Sequence, residues 1–97
     1  MLTVHFRIFE WDAQKAITNR RKHGVSFDEA ATVFDDPWAL DLPEILDDGR
    51  FVVIGRSSRD RVLFVVHAVR RDEKKVRIIS ARKASPSQRE AYFQAVR

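Results

Sequence analysis

The 97-residue chain has no cysteine and only three glycines and three prolines. Without cysteine it can form neither disulfides nor thiolate metal sites, and the cytoplasm is the simplest expected location. The longest apolar run, residues 62–66, is far too short to cross a bilayer, so no membrane association is expected. The first residues lack the basic and apolar regions of a signal peptide. The few glycines do not form a phosphate-binding loop, and no cofactor is expected.

Basic charge is what the chain does have, and it is unevenly distributed. The net charge is +4, but residues 35–48 contain six acids and neither lysine nor arginine. The other 83 residues therefore carry 18 bases and 8 acids, a balance of +10. A basic body with one acidic edge is typical of proteins that bind a polyanion. Many small basic domains bind no nucleic acid, so charge alone leaves both readings open.

The first half of the chain predicts one strand and two helices within a single domain, residues 1–97. Weak alternation over residues 4–9 indicates a strand. Asp12 can cap a helix from Ala13 to about Lys22, which Gly24 then ends. Ser26 and Glu29 have the spacing of a capping box, in which each side chain binds the other's backbone N–H. A short second helix follows and stops at residues 35–37.

The second half predicts an antiparallel meander and a terminal helix. Residues 38–42 indicate a short strand and residues 43–49 an acidic loop. Short polar connections join three segments rich in Val, Ile and Phe, at residues 51–57, 62–69 and 76–82. A second capping box, Ser85–Gln88, begins the last helix. The predicted order is β-α-α-β-β-β-β-α, an α+β domain with helices packed on a small antiparallel sheet.

Two arginines stand at corresponding places in this plan. Arg56 and Arg82 each end a strand after alternating apolar positions. If the two strand faces coincide, both guanidinium groups emerge beyond the core, where they could stabilise the transition state of phosphoryl chemistry. The alternative is that they are ordinary strand-end arginines in surface ion pairs.

The end of the first predicted helix gathers four cationic or titratable side chains. His23 has an ordinary pKa near 6.5, which suits general acid or base catalysis, and Lys22 could bind phosphate. The alternative is that these residues only interact favourably with the helix C-terminus. His67 lies on an apolar strand face and is expected in the core. Trp11 and Trp38 could stack on nucleic-acid bases, but large aromatics in a small domain are more often in the core, where both are expected.

Five segments, in this order, resemble the BrnT-type toxins: Phe9–Asp12, Asn19–Ala30, Phe34–Pro37, Ile54–Ser57 and Ile79–Ala84. The resemblance covers nearly the whole chain. It implies a RelE-like fold and a metal-independent ribonuclease that arrests translation. It also implies a BrnA-type antitoxin, which binds operator DNA through a ribbon-helix-helix domain and forms a heterotetramer with the toxin. The chain departs from the family in its longer segment before Phe9 and in having Gln14 where proline is expected.

Two hypotheses follow. In the first, the chain is an endoribonuclease whose products are a 2′,3′-cyclic phosphate and a 5′-hydroxyl. Arg56, Arg82 and His23 would be catalytic, with RNA phosphates bound by Arg20, Arg21, Lys22 and Lys83. This requires Lys22 and His23 to lie near Arg56 and Arg82. In the second, the chain is a non-catalytic basic module that binds nucleic acid or protein and acts as a corepressor. Exposed apolar residues in the last helix or in residues 38–46 are candidate antitoxin contacts.

Overall fold

The computed structural model describes residues 2–46, 49–70, 72 and 74–96. These residues form three helices, a short 3₁₀ turn and a six-stranded sheet, so the α+β class is confirmed. None of the described helices has the length and apolar character that crossing a membrane requires. In chain order the elements are β1 (Thr3–Phe6), β2 (Phe9–Asp12), α1 (Ala13–His23), α2 (Phe27–Thr32), the 3₁₀ turn (Val33–Asp35), β3 (Leu40–Leu46), β4 (Arg50–Arg56), β5 (Val62–Arg70), β6 (Lys75–Lys83) and α3 (Pro86–Val96).

The sheet has the strand order β1-β2-β6-β5-β4-β3. The predicted antiparallel meander is confirmed in β3 to β6, while β2 and β6 pair in parallel. The single N-terminal strand predicted over residues 4–9 is in fact a hairpin. Arg7 adopts a positive φ of 57° between β1 and β2, and this reverses the chain. Alternation of apolar residues alone did not mark that turn.

The acidic loop predicted for residues 43–49 begins too early, because β3 continues through Pro43 to Leu46. Proline is tolerated there since β3 is an edge strand and its register with β4 shifts between Leu42 and Leu46. Asp47 and Asp48, the centre of the predicted loop, lie outside the described residues.

Both faces of the sheet are covered. On one face, called here the helix-pair face, α1 and α2 pack over a core that includes Val53, Leu63 and Val65. On the other, called the α3 face, α3 packs over Ile54 and Val62. Alternate residues of each strand therefore point into different cores, and the face on which a side chain lies determines which helices it can meet.

The predicted helix ends are largely confirmed. Asp12 accepts hydrogen bonds from two backbone N–H groups at the start of α1, and Gly24 ends the helix with a φ of 69°. Ser85 and Gln88 make both bonds of a reciprocal capping box. At α2, Ser26 accepts from Glu29 N–H, but the Glu29 carboxylate is used elsewhere, so only half of that box forms.

Candidate active site at the end of the sheet

Arg56 and Arg82 lie on the same face of the sheet, the α3 face. Arg56 pairs with Val62, which belongs to the core beneath α3. Arg82 pairs with Phe64, and its guanidinium carbon lies 4.2 Å from the centre of that ring. Since directly opposed residues share a face, the two strand-end arginines project to the same side. Two strand spacings, roughly 10 Å, separate their backbones laterally.

A β-bulge in β6 makes this possible. Val66 pairs with Ser80 but His67 pairs with Ile78, so Ile79 is an extra residue. Ile78 belongs to the core on the helix-pair face, whereas Arg82 lies over Phe64 on the α3 face. Strict alternation, as used in the sequence argument, would have put Arg82 on the same face as Ile78 and away from Arg56. The predicted coincidence of the two arginines is therefore observed, but for a different reason.

The side chain of Arg56 contacts one exposed aspartate and one aromatic ring. Its Nη1 donates to Asp60 Oδ1 at 3.0 Å, with 47% of the arginine side chain and 80% of the aspartate exposed. The guanidinium carbon also lies 5.8 Å from the centre of the Phe93 ring in α3. Such an exposed ion pair contributes little stability, so Asp60 can be displaced by a stronger anion at small cost.

The hydrogen-bond acceptors of Arg82 among the described residues are neutral. Its Nη1 donates to Gln88 Oε1 at 3.3 Å and to the Lys83 carbonyl at 3.4 Å, both long hydrogen bonds. Within the described residues no carboxylate forms an ion pair with it. Its guanidinium group is therefore free to take an anion as its partner.

The carboxylate of Asp36 fixes the backbone beneath Arg56. Its Oδ2 accepts from Arg56 N–H at 2.8 Å and from the buried Tyr92 hydroxyl at 2.7 Å. Its Oδ1 accepts from Trp38 N–H at 2.9 Å. Burial alone would raise the pKa of Asp36, but these hydrogen bonds outweigh it and hold the pKa below the usual range. Burial, and then the bond to Asp36, raises the pKa of Tyr92. The sequence pattern singled out neither Asp36 nor Tyr92 as a site residue.

The cationic corner of α1 lies on the other face of the sheet. The Asn19 side chain donates to the Ala81 carbonyl at 2.8 Å and accepts from Ala81 N–H at 3.1 Å. These are the two hydrogen bonds that the backbone of a neighbouring strand would make with Ala81. Ala81 belongs to the core on the helix-pair face, so α1 lies on that side. Its last turn exposes Arg20, Arg21, Lys22 and His23. Lys22 and His23 border a shallow groove of about 280 Å³ against Ser80 and Ile79.

The meeting of Lys22 and His23 with Arg56 and Arg82 at a single phosphate is therefore not found. The two groups lie at the same end of the sheet but on opposite faces. Lys83 lies between them: it pairs with Leu63 of the helix-pair core, so it faces the α1 side, while the preceding Arg82 faces α3. The observed site thus consists of two cationic surfaces separated by the ends of the strands.

A buried ion pair that the sequence argument missed ties the two surfaces together. Glu29, only 4% exposed, forms two hydrogen bonds with Arg61, through Nε at 2.9 Å and through Nη2. Arg61 also donates to the Gly24 carbonyl at 3.1 Å, and Ser57 Oγ donates to Glu29 at 2.7 Å. Burial would raise the pKa of Glu29, but the bonds from Arg61 and Ser57 outweigh it and lower the pKa. The capping-box motif had assigned this carboxylate to the helix start.

Three side chains were predicted to lie in the core, and the prediction is confirmed for two of them. His67 is buried as predicted, with burial lowering its pKa, and its ring meets Phe34 edge-on at 4.9 Å. Trp11 is also buried. Trp38 was expected in the core, but 57% of it is exposed, because Pro37 and the Asp36 carboxylate place it in the turn before β3.

Comparison with known proteins identifies the family and supports the fold. Residues 11–88 match the family model described as the ribonuclease toxin BrnT of type II toxin-antitoxin systems. This chain belongs to the BrnT family. The crystal structure of the Brucella abortus ribonuclease toxin BrnT has a similar fold, with a TM-score of 0.62 and 26% sequence identity. That similarity covers 77% of this chain and 92% of the Brucella chain. A search of curated proteins finds no significant match.

The extent of the family match separates two parts of the site. It includes Arg56, Arg82 and the α1 corner, since all lie between residues 11 and 88. It excludes β1 and most of α3, from Arg89 onward. Of the residues that α3 contributes to the arginine surface, Gln88 lies within the family match, whereas Tyr92 and Phe93 lie beyond it.

Proposed function

We propose that this BrnT-family chain is an endoribonuclease that cleaves RNA without a metal ion and so arrests translation. The observation that carries the proposal is the pair of guanidinium groups, Arg56 and Arg82, on one face at the end of the sheet. A guanidinium is always charged in proteins, and its planar fork matches two phosphate oxygens. The family match supports ribonuclease activity in general terms.

In the proposed reaction the 2′-oxygen of RNA attacks the adjacent phosphorus while the bond from phosphorus to the 5′-oxygen breaks. A base removes the proton of the 2′-hydroxyl, and an acid gives a proton to the leaving 5′-oxygen. The products are a 2′,3′-cyclic phosphate and a 5′-hydroxyl. Arg56 and Arg82 would stabilise the negative charge that develops on the phosphate oxygens.

His23 was predicted to be the proton carrier, but it lies on the face opposite Arg56 and Arg82. We therefore propose this role only for a scissile phosphate at the strand ends, and it needs a test separate from that of the arginines. Of the three histidines, His67 is buried and His5 lies on the edge strand β1, while His23 is exposed at the end of the sheet. RNA held by the arginines would have to bend over the strand ends to reach it. Along that path its phosphates would be bound by Arg20, Arg21, Lys22 and Lys83.

The test is cleavage of end-labelled RNA by the purified chain in EDTA. Wild type should cleave, which also excludes a metal requirement, and product ends should carry a cyclic phosphate. Arg56→Gln and Arg82→Gln should each lower the rate by about 10²–10³-fold with unchanged circular dichroism. Arg7→Gln is the matched control, because it removes one exposed positive charge at the opposite end of the sheet.

Three outcomes decide between the hypotheses. Full cleavage by the Arg56/Arg82 double variant would refute the site. Full cleavage by His23→Gln would leave the arginines in place and remove His23 from the chemistry. RNA that stays intact with wild type in large excess would favour the alternative, a non-catalytic module that acts as a corepressor.

Membership of a toxin-antitoxin family indicates an antitoxin partner. We propose that it is of the BrnA type, with a ribbon-helix-helix domain, that it forms a heterotetramer with this chain, and that operator DNA is bound only through it. Co-expression with the product of the adjacent reading frame, followed by light scattering, tests the stoichiometry. The antitoxin should slow hydrogen exchange around Arg56 and Arg82; unchanged exchange there would count against direct occlusion.

A further inference from the structure

Three guanidinium groups gather over aromatic rings on the α3 face. Arg82 lies 4.2 Å from the centre of the Phe64 ring. Arg56 and Arg89 lie 5.8 and 5.3 Å from the centre of one and the same ring, Phe93. Arg89 and Phe93 belong to α3 and lie beyond the family match, which ends at residue 88. The last helix therefore adds a third positive charge to the arginine pair.

This charge has little acidic compensation. Arg89 is exposed, and in the part of the chain that the structure describes neither Arg89 nor Arg82 forms an ion pair with a carboxylate. Among the described residues, the guanidinium group of Arg56 forms its ion pair with the exposed Asp60, and its charge also helps to lower the pKa of the nearby Asp36. Uncompensated guanidinium groups near one another raise the local positive potential, and polyanions with regularly spaced charges are the ligands that this arrangement attracts.

An exposed indole belongs to the turn whose backbone lies next to that of Arg56. Trp38 is 57% exposed, more than any other described aromatic residue. Its backbone N–H and that of Arg56 bond the two oxygens of a single carboxylate, Asp36, at 2.9 and 2.8 Å. The Tyr92 hydroxyl of α3 bonds the same carboxylate. The turn that carries the indole is thus fixed relative to Arg56, which limits the backbone entropy that a bound ligand must remove.

We infer that Trp38 and Arg89 extend the Arg56/Arg82 site into a binding surface for single-stranded RNA, with Arg89 on a neighbouring phosphate and the indole of Trp38 stacked on an unpaired base. Proteins bind single strands through cationic groups that contact the phosphates and through exposed aromatic faces that stack on the bases. A duplex would satisfy only the arginines, because its bases are stacked and paired. The inference deepens the proposed function and rests on it for the identity of the substrate.

The experiment measures fluorescence anisotropy with a labelled single strand that carries 2′-O-methyl groups throughout, in EDTA. This RNA cannot undergo attack by its own 2′-oxygen, so binding is measured without cleavage. Trp38→Ala should weaken binding by about 5- to 150-fold, the usual effect of losing one base stack. Arg89→Gln should reduce the slope of log K against log salt by about 0.7, the value for one phosphate contact with a single strand.

Matched controls come from the β1–β2 hairpin, at the edge of the sheet opposite β3 and β4. Phe6→Ala removes another exposed aromatic residue, and Arg7→Gln removes another exposed arginine; both should change binding less than twofold. The same sequence annealed to its complement is the second ligand, and Trp38→Ala should change its affinity less than twofold. Circular dichroism and the thermal midpoint check that every variant is folded.

Each outcome bears on the inference. It is overturned if Trp38→Ala and Arg89→Gln bind the single strand like wild type, if Phe6→Ala or Arg7→Gln weakens binding equally, or if Trp38→Ala affects duplex and single strand alike. Loss of antitoxin binding with unchanged RNA binding would also overturn it and would assign the surface to the protein partner. If wild type cleaves no RNA in EDTA yet the variants lose single-strand binding, the proposed ribonuclease fails and the binding surface stands.

Discussion

Removal of Arg61 should destabilise the chain by an amount that depends on pH, because it leaves the Glu29 carboxylate buried without its cation. Glu29 is 4% exposed and Arg61 26% exposed. Breaking a buried pair by removing one partner costs about 3–5 kcal/mol, and the partial exposure of Arg61 places the expected loss near the lower value, about 3 kcal/mol at pH 7. In a domain of this size that lowers the thermal midpoint by about 12–24 °C.

The pH dependence distinguishes charge from packing. In the wild type the pKa of Glu29 is lowered, so its contribution to stability is present above the unfolded pKa, about 4.3, and is lost as pH falls through the folded pKa. In Arg61→Ala burial still acts on the carboxyl while the cation is gone, so its pKa should rise above 4.3. Ionisation then opposes folding. The difference in unfolding free energy between the two proteins should grow from about 1 kcal/mol at pH 3.5 to about 3 kcal/mol at pH 7.

Urea denaturation at several pH values, followed by the fluorescence of the buried Trp11, measures this difference. Arg59→Ala is the matched control, since Arg59 lies in the same turn but is exposed and contributes least to the lowered pKa of Glu29, and it should cost less than about 0.5 kcal/mol. A difference that is constant from pH 3.5 to 7 would refute the electrostatic reasoning and attribute the loss to the packing of the Arg61 stem.

Three further changes test other parts of the structure. Tyr92→Phe removes one of the hydrogen bonds to Asp36; it should cost about 1 kcal/mol in urea denaturation, and an unchanged midpoint would contradict that bond. His67 is buried with its pKa lowered, so the unfolded chain binds more protons below pH 6.5 and wild-type stability should fall toward pH 5 by up to about 1.4 kcal/mol per unit. His67→Phe should flatten that slope, and an equal slope in the variant would assign it to other groups. Gly55→Ala places a Cβ 2.8 Å from the Val33 side chain in the core and should cost about 1–3 kcal/mol; a neutral result would mean that β4 shifts freely there.

Local signals in the sequence were enough to predict most elements and their ends. Asp12, Gly24 and the Ser85–Gln88 box act through groups a few residues away, so their spacing predicts their geometry. Ser26 and Glu29 show the boundary of this reasoning. Their spacing is that of a capping box, but a partner 32 residues away, Arg61, binds the Glu29 carboxylate. The long-range ion pair with Arg61 is more stable than the capping bond that the Glu29 carboxylate would make to the Ser26 backbone N–H. No residue close in sequence to Glu29 indicates this partner.

The arginine pair illustrates a different difficulty. Strict alternation put Arg82 on the face of Ile78, and only the extra residue at Ile79 turns it to the face of Arg56. A bulge follows from how two strands pair, which a single strand's pattern does not encode. Trp38 was misplaced for a related reason: its exposure follows from Asp36 binding both Trp38 N–H and Arg56 N–H, a contact across 20 residues.

The same bulge determines how the two cationic surfaces relate. Because Arg82 faces α3, the next residue, Lys83, must face the opposite side, where α1 ends at His23. Neighbouring residues of one strand thus belong to different surfaces. An RNA that contacts only Arg56 and Arg82 never meets His23, whereas an RNA that contacts all three must pass over the end of β6. Substituting Lys83 should therefore weaken the second mode of binding and leave the first intact, so the cleavage rates of Lys83→Gln and His23→Gln should fall together or not at all.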